Sequence, residues 1–138
     1  MQLSTRARYA VRAMIELAIR YGEGPVLLKD VASHQEISDK YLEQLLAPLR
    51  AQGFIHTLRG NRGGYVLAIP PEDVTLYDVI EVVEGSLAPV SCVDKPAVCS
   101  RIDKCVTRNV WVNIKTLIKE ELESIDLATL AKQQQELY

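Results

Sequence analysis

The sequence predicts a mostly α-helical chain with one small β-hairpin near its middle. Three observations predict it. Apolar residues return at 3.6-residue spacing in several separate stretches. Two short β-favouring segments flank the run Arg59-Gly60-Asn61-Arg62-Gly63-Gly64. Finally, 138 residues with 48% apolar and 25% charged side chains have the size and composition of one ordinary globular domain, which excludes wholesale disorder and collagen-like repeats. No apolar run approaches the ~18 residues of a membrane span, and the first residues lack an apolar signal-peptide core. The expected setting is the cytoplasm, with no membrane partner.

Residues 3–21 form the first predicted helix: Ala7, Ala10, Val11, Met14, Leu17 and Ala18 share one face, and Thr5, Arg8, Arg12 and Glu16 lie on the other. Gly22 to Pro25 end it. A short helix over 28–35 turns Val31 and Ala32 inward. Ser38 is a strong N-cap for a third helix, with Asp39 in the first turn where the helix dipole favours an acid. Leu42, Leu45, Leu46 and Leu49 are its core face, opposite Lys40, Gln44, Ala47 and Ala51, with Glu43 at the edge. Pro48 removes a backbone donor and should kink the last turns, and Gly53 supplies the stop. Segments 54–58 and 65–69 then make the hairpin. Helix, short helix, turn, helix and hairpin is the order of a winged helix-turn-helix, the DNA-binding arrangement assigned here to residues 1–71.

Residues 72–138 make the second region. Thr75 caps a helix to about Glu84, with Leu76, Val79, Ile80 and Val83 inward. A loop (about 86–105) holds Pro89, Pro96 and all the cysteines. A long helix over 105–124 follows, and a short one starts at Asp126. Trp111, Ile114, Leu117, Ile118, Leu122 and Ile125 give the long helix a broad apolar stripe. The stripe either caps the chain's own core or packs on its copy. The homodimer is favoured, with Trp111, Ile114, Ile118 and Leu122 in the contact, because reading a pseudo-palindromic double-stranded DNA operator takes two copies.

The net charge of −2 hides an asymmetry: residues 1–65 hold nine Lys/Arg against six Asp/Glu, and residues 66–138 hold seven against twelve. A basic front half is what a protein meeting a polyanion at one end needs, although an ordinary solvated surface has the same look. On the third helix Lys40, Glu43 and Gln44 can address base edges, while Ser38 and Tyr41 can reach phosphates. Phosphates repel Glu43, so it is useful only against a cytosine amine or another donor, which makes it a selectivity candidate. At the hairpin tip Arg59, Gly60 and Arg62 combine cations with close approach, as a minor-groove or backbone contact requires; the plainer reading is a solvated turn. Arg6, Arg8 and Arg12 either add phosphate contacts or decorate an exposed helix face.

Cys92, Cys99 and Cys105 are the only cysteines, spaced C-x6-C-x5-C. An odd count without a secretory signal argues against a disulfide framework, and there is no C-x2-C pair for a zinc knuckle. Lys95, Arg101, Lys104 and Arg108 surround the sulfurs, and Cys105 begins a helix, both of which favour thiolate. An iron–sulfur cluster on these three thiols is the best physical reading, and a thiol redox switch the next. No nucleotide fingerprint or nucleophile–base set supports an enzyme. A small electron carrier would not need the arginine-bearing hairpin.

Four motifs together carry a family resemblance: LSTRARYAVRAM at the start, ISDKYLEQLLAPLRAQGFI through the third helix, RGNRGGYVLA at the hairpin, and C-x6-C-x5-C followed by VTRNVW. The sequence resembles the IscR-like iron–sulfur cluster biogenesis regulators, which are dimeric winged-helix repressors and activators. The resemblance implies that Cys92, Cys99 and Cys105 ligate a 2Fe–2S or 4Fe–4S cluster. It also implies that residues 38–44 open the recognition helix with Glu43 discriminating between site types, that Arg59 and the glycines after it form the wing, and that the long helix dimerises. The expected function is a transcription regulator sensing cluster status for cluster-assembly or iron-homeostasis genes. Arg108 stands where 2Fe–2S members have a histidine, Arg8 where nitric-oxide-sensing members have an aspartate, and the first cysteine spacing is one residue longer than in the best-known members. The fourth ligand is therefore unassigned, with Asp94, Asp103 and Asn109 as local candidates, and a water, a small thiol or a cross-dimer carboxylate such as Glu16 as the others.

Overall fold

Ser4 starts the first helix by accepting the Ala7 N–H at 3.1 Å, and α1 (Thr5–Ile19) follows. The structure is a computed structural model that describes residues 2–60 and 63–138. Ala7, Ala10, Ala13, Met14, Leu17 and Ala18 are buried along α1, close to the predicted face. Glu16 departs from the expectation: placed outward by periodicity, it is buried, because a second set of neighbours from the next helix covers that side of α1.

Helix α2 (Leu28–His34) buries Val31 and Ala32. A tight turn through Glu36, held in the left-handed region at φ 56°, leads to α3 (Asp39–Ala51). Ser38 caps α3 as predicted, accepting the Tyr41 N–H at 3.1 Å, and Leu42, Leu45, Leu46 and Leu49 are its buried residues. The helix continues past Pro48 to Ala51 and stops at Gly53, whose φ of +82° only glycine adopts freely.

Strands β1 (Ile55–Leu58) and β2 (Gly64–Leu67) pair antiparallel, Ile55 opposite Leu67 and Leu58 opposite Gly64. The hairpin base is tied to the chain before α2, where Val26 and Tyr65 exchange both backbone bonds at 2.8 Å. A Cβ on Gly64 would collide with the Val26 carbonyl, so this glycine serves strand packing rather than room for a ligand.

Helix α4 (Leu76–Glu84) opens with a capping box between Thr75 and Asp78, at 3.1 and 2.9 Å. Between α4 and α5 (Val106–Glu123) the predicted loop contains three one-turn 3-10 helices, Ser91–Val93, Pro96–Val98 and Ile102–Lys104. The last helix, α6 (Leu127–Leu137), is capped by Asp126 and returns across α1. Leu76 N–H to Ile125 O at 2.8 Å and Leu127 N–H to Val74 O at 2.9 Å fasten its start beside α4.

One core results. It joins Met14 and Leu17 of α1 with Leu42, Leu46 and Leu49 of α3, Ile55 and Leu67 of the hairpin, Val79 of α4, and Leu127 and Ala131 of α6. The core therefore runs through the chain on both sides of residue 71. Helix α5 stands apart from it: none of its residues is buried, and it packs on α4 and the first turn of the loop. Trp111, Ile114, Ile118 and Leu122 are half-buried, while Leu117 is 62% exposed. No helix among the described residues is long and apolar enough to cross a membrane.

Candidate DNA-binding face and cysteine loop

The predicted base-reading residues share the capped start of α3. Lys40, Glu43 and Gln44 are exposed there, and Ser38, also exposed, holds the first turn closed. Tyr41 is half-buried and meets Tyr9 of α1 edge-on, ring centroids 6.3 Å apart. Sequence reading missed Tyr9, because a half-buried tyrosine between two faces carries no periodic signal. The hairpin lies beside α3: burial, then the nearby Glu43 carboxylate, push the Tyr65 hydroxyl above its ordinary range, and Arg50 opposes them. Arg59 and Gly60 are exposed at the end of β1, and Arg62 lies outside the described residues.

Behind this face α1 grips the helix-turn-helix at a second point. The buried Glu16 carboxylate accepts from the Gln35 side-chain amide and lies 3.2 Å from His34 Nδ1. Burying a carboxylate is costly without such partners, so these contacts account for its place. They engage both of its oxygens, which leaves Glu16 poorly suited as a ligand for a second copy.

Cys92 lies in the first 3-10 turn, Cys99 directly follows the second, and Cys105 joins the third to α5. All three are free thiols and half-buried. The Thr107 hydroxyl, 3.2 Å from Cys105 Sγ, and then the Arg108 backbone N–H hold this thiol below the ordinary range. Asp94 is already occupied, by Lys115 of α5 at 2.5 Å and by the Ser86 hydroxyl, and both hydrogen bonds keep its carboxyl below the usual carboxylate range.

These donors fit a thiolate-held cluster in kind: three soft sulfurs in one loop beside a cation. Arg108 Nε, one turn into α5 from Cys105, is buried with no hydrogen-bond partner, a donor left over for an anionic guest. The donors are not preassembled. Among the described residues no three His, Cys, Asp or Glu side chains are grouped to hold a metal ion.

A capped helix-turn-helix with a hairpin beside its third helix defines a winged-helix DNA-binding transcription regulator. The chain belongs to the Rrf2 family, described as iron-dependent transcriptional regulators, whose model matches residues 3–133. It is 40% identical to the HTH-type transcriptional regulator CymR of Bacillus subtilis over 141 residues, covering 100% of this chain and 97% of that protein. The solved structure of that protein, titled the global cysteine regulator of B. subtilis, superposes with a TM-score of 0.80 over 96% of this chain and 98% of the other. T. potens IscR, 42% identical, does so with a TM-score of 0.80 over 99% of this chain and 90% of its own. IscR of Aliivibrio salmonicida is 37% identical over 130 residues, 94% of this chain and 77% of that protein. The resemblance to IscR-like regulators is thereby shown, and CymR-like regulators stand beside them in the same family.

Proposed function

We propose that the protein is a homodimeric transcription regulator that reads pseudo-palindromic DNA and takes an iron–sulfur cluster on Cys92, Cys99 and Cys105. The observation that carries this reading is one loop holding three half-buried free thiols, with a buried, unpartnered Arg108 Nε on the α5 turn that follows it. The IscR relatives supply the class of guest. When bound, such a cluster makes the loop's shape answer to iron, sulfide and oxidant supply. Drawing the three thiolates together reorganises the 92–105 segment, whose last residue begins α5. If α5 is the dimer helix, the state of that segment biases the spacing of the two recognition helices, a population shift between two arrangements. Cluster-assembly or iron-homeostasis genes are the proposed targets.

Lys40, Glu43 and Gln44 would read bases, Ser38 and Tyr41 would meet phosphates, and Arg59, Gly60 and Arg62 would form the wing contact. The dimer contact would be the α5 face of Trp111, Ile114, Ile118 and Leu122, which the chain's own core leaves half-covered. As a working division, residues 1–71 would meet DNA and residues 72–138 would sense and dimerise.

A second reading makes the loop a thiol switch. The lowered Cys105 thiol and the ungrouped metal donors favour it, and the relative titled a cysteine regulator supports it. Single Cys92→Ala, Cys99→Ala and Cys105→Ala variants purified without oxygen separate the two. Under the cluster reading each loses the visible absorption of the wild type while remaining a folded dimer. If all three retain the wild-type spectrum, the ligand assignment is wrong.

A further inference from the structure

We propose that Arg12, seated on the Tyr9 ring, is a DNA-backbone contact: a third element on the duplex, beside the recognition helix and the wing. The proposal rests on the DNA-binding reading above and adds a residue to it. Three arginines of α1 are equivalent by sequence, and the structure separates them. Arg8 is turned back to the Thr5 hydroxyl at 3.3 Å, and no contact places Arg6. The Arg12 guanidinium lies 5.1 Å above the centre of the Tyr9 ring. That ring meets Tyr41, in the first turn of α3, edge-on at 6.3 Å.

Tyr9, Arg12 and Glu16 recur at helical spacing along one side of α1. Tyr9 touches the start of α3, and Glu16 touches the end of α2. Arg12 lies between these two anchors, so it faces the edge of the helix-turn-helix. In this motif the first of the two helices, here α2, crosses the sugar-phosphate backbone, and Arg12 stands on α1 at the edge of that pair, where phosphate contacts fix register without reading sequence. Arg12 is exposed, and among the described residues no carboxylate lies within ion-pair distance of it. Stacking on an aromatic face holds a guanidinium in one direction while leaving its N–H edge open to a phosphate.

The test uses counterion release, which needs no knowledge of the operator. Full-length wild type, Arg12→Gln, Arg12→Lys and Arg59→Ala are titrated by fluorescence anisotropy onto a labelled mixed-sequence duplex at a series of KCl concentrations. Each phosphate contact contributes about 0.9 to the slope of log affinity against log salt, so a dimer losing two should lose about 1.8. Arg12→Gln is expected to show that loss with unchanged far-ultraviolet circular dichroism, and Arg12→Lys to keep the wild-type slope. An Arg12→Gln slope equal to wild type, with Arg59→Ala reduced, overturns the Arg12 contact and leaves the DNA-binding reading standing. Weaker Arg12→Gln binding at unchanged slope overturns it too, because the residue would then act through packing alone. Wild type that fails to bind duplex even at the lowest salt overturns the DNA-binding reading itself.

Discussion

Leu117→Ala on α5 is the sharpest perturbation of the proposed dimer. In the single chain this side chain is 62% exposed, and it is not one of the buried residues of the core. Fully burying a leucine stabilises by about 1.5–3 kcal/mol, so a second copy covering the exposed part gains about 1–2 kcal/mol per side chain. A two-fold contact repeats the substitution in both copies, which brings the loss to about 2–4 kcal/mol. At 1.4 kcal/mol per tenfold, the dimer constant should weaken by about 30-fold to 700-fold. Sedimentation velocity over a dilution series reads this directly. The control is Leu137→Ala at the end of α6, 80% exposed and on a different helix, which should leave the constant unchanged. A Leu117→Ala protein that dimerises as tightly as wild type would refute a contact that reaches the exposed edge of the α5 stripe at Leu117.

Three further outcomes are expected. Leu127→Ala opens a cavity in the shared core and should cost about 2–5 kcal/mol in urea denaturation, lost in one cooperative transition with the helix-turn-helix; two separate transitions would mean that α6 does not complete that core. In a Cys92→Ala, Cys99→Ala background, alkylation of the remaining Cys105 should reach half its maximal rate at a pH below that of an ordinary thiol, since its lowered pKa exposes thiolate earlier. Thr107→Val removes the first cause of that shift and should move the midpoint upward; an unmoved midpoint contradicts the contact. Ser38→Ala removes the α3 cap and should cost about 1 kcal/mol of stability while weakening duplex binding; unchanged stability would contradict the Ser38–Tyr41 hydrogen bond.

Local signals in the chain were legible. Ser38, Thr75 and Asp126 each cap the helix that sequence placed after them, because a cap needs only its own first turn. The four leucines of α3 are buried because one amphipathic face meets one core. What escaped prediction depends on residues far away in sequence. Glu16 is buried because His34 and Gln35 approach from α2, and periodicity on α1 alone contains no trace of them. Leu127 and Ala131 enter the core because α6 turns back across α1, a path set by the Val74–Leu127 and Leu76–Ile125 backbone bonds. In the sequence Gly64 was one of the small residues of the Gly-rich hairpin tip, whereas its neighbour is the Val26 carbonyl. In the cysteine loop, single 3-10 turns are too short to leave a period, so the sequence showed the thiols but not their separate seats.

The most direct test of the central claim is iron and acid-labile sulfide analysis of protein purified without oxygen, read beside its visible spectrum. The account predicts iron and sulfide in equal amounts, about two or four of each per chain, with absorption that each single cysteine substitution removes. Colourless protein that also resists anaerobic reconstitution with iron and sulfide would contradict it. A winged-helix regulator whose cysteine loop answers to thiol chemistry alone would then remain.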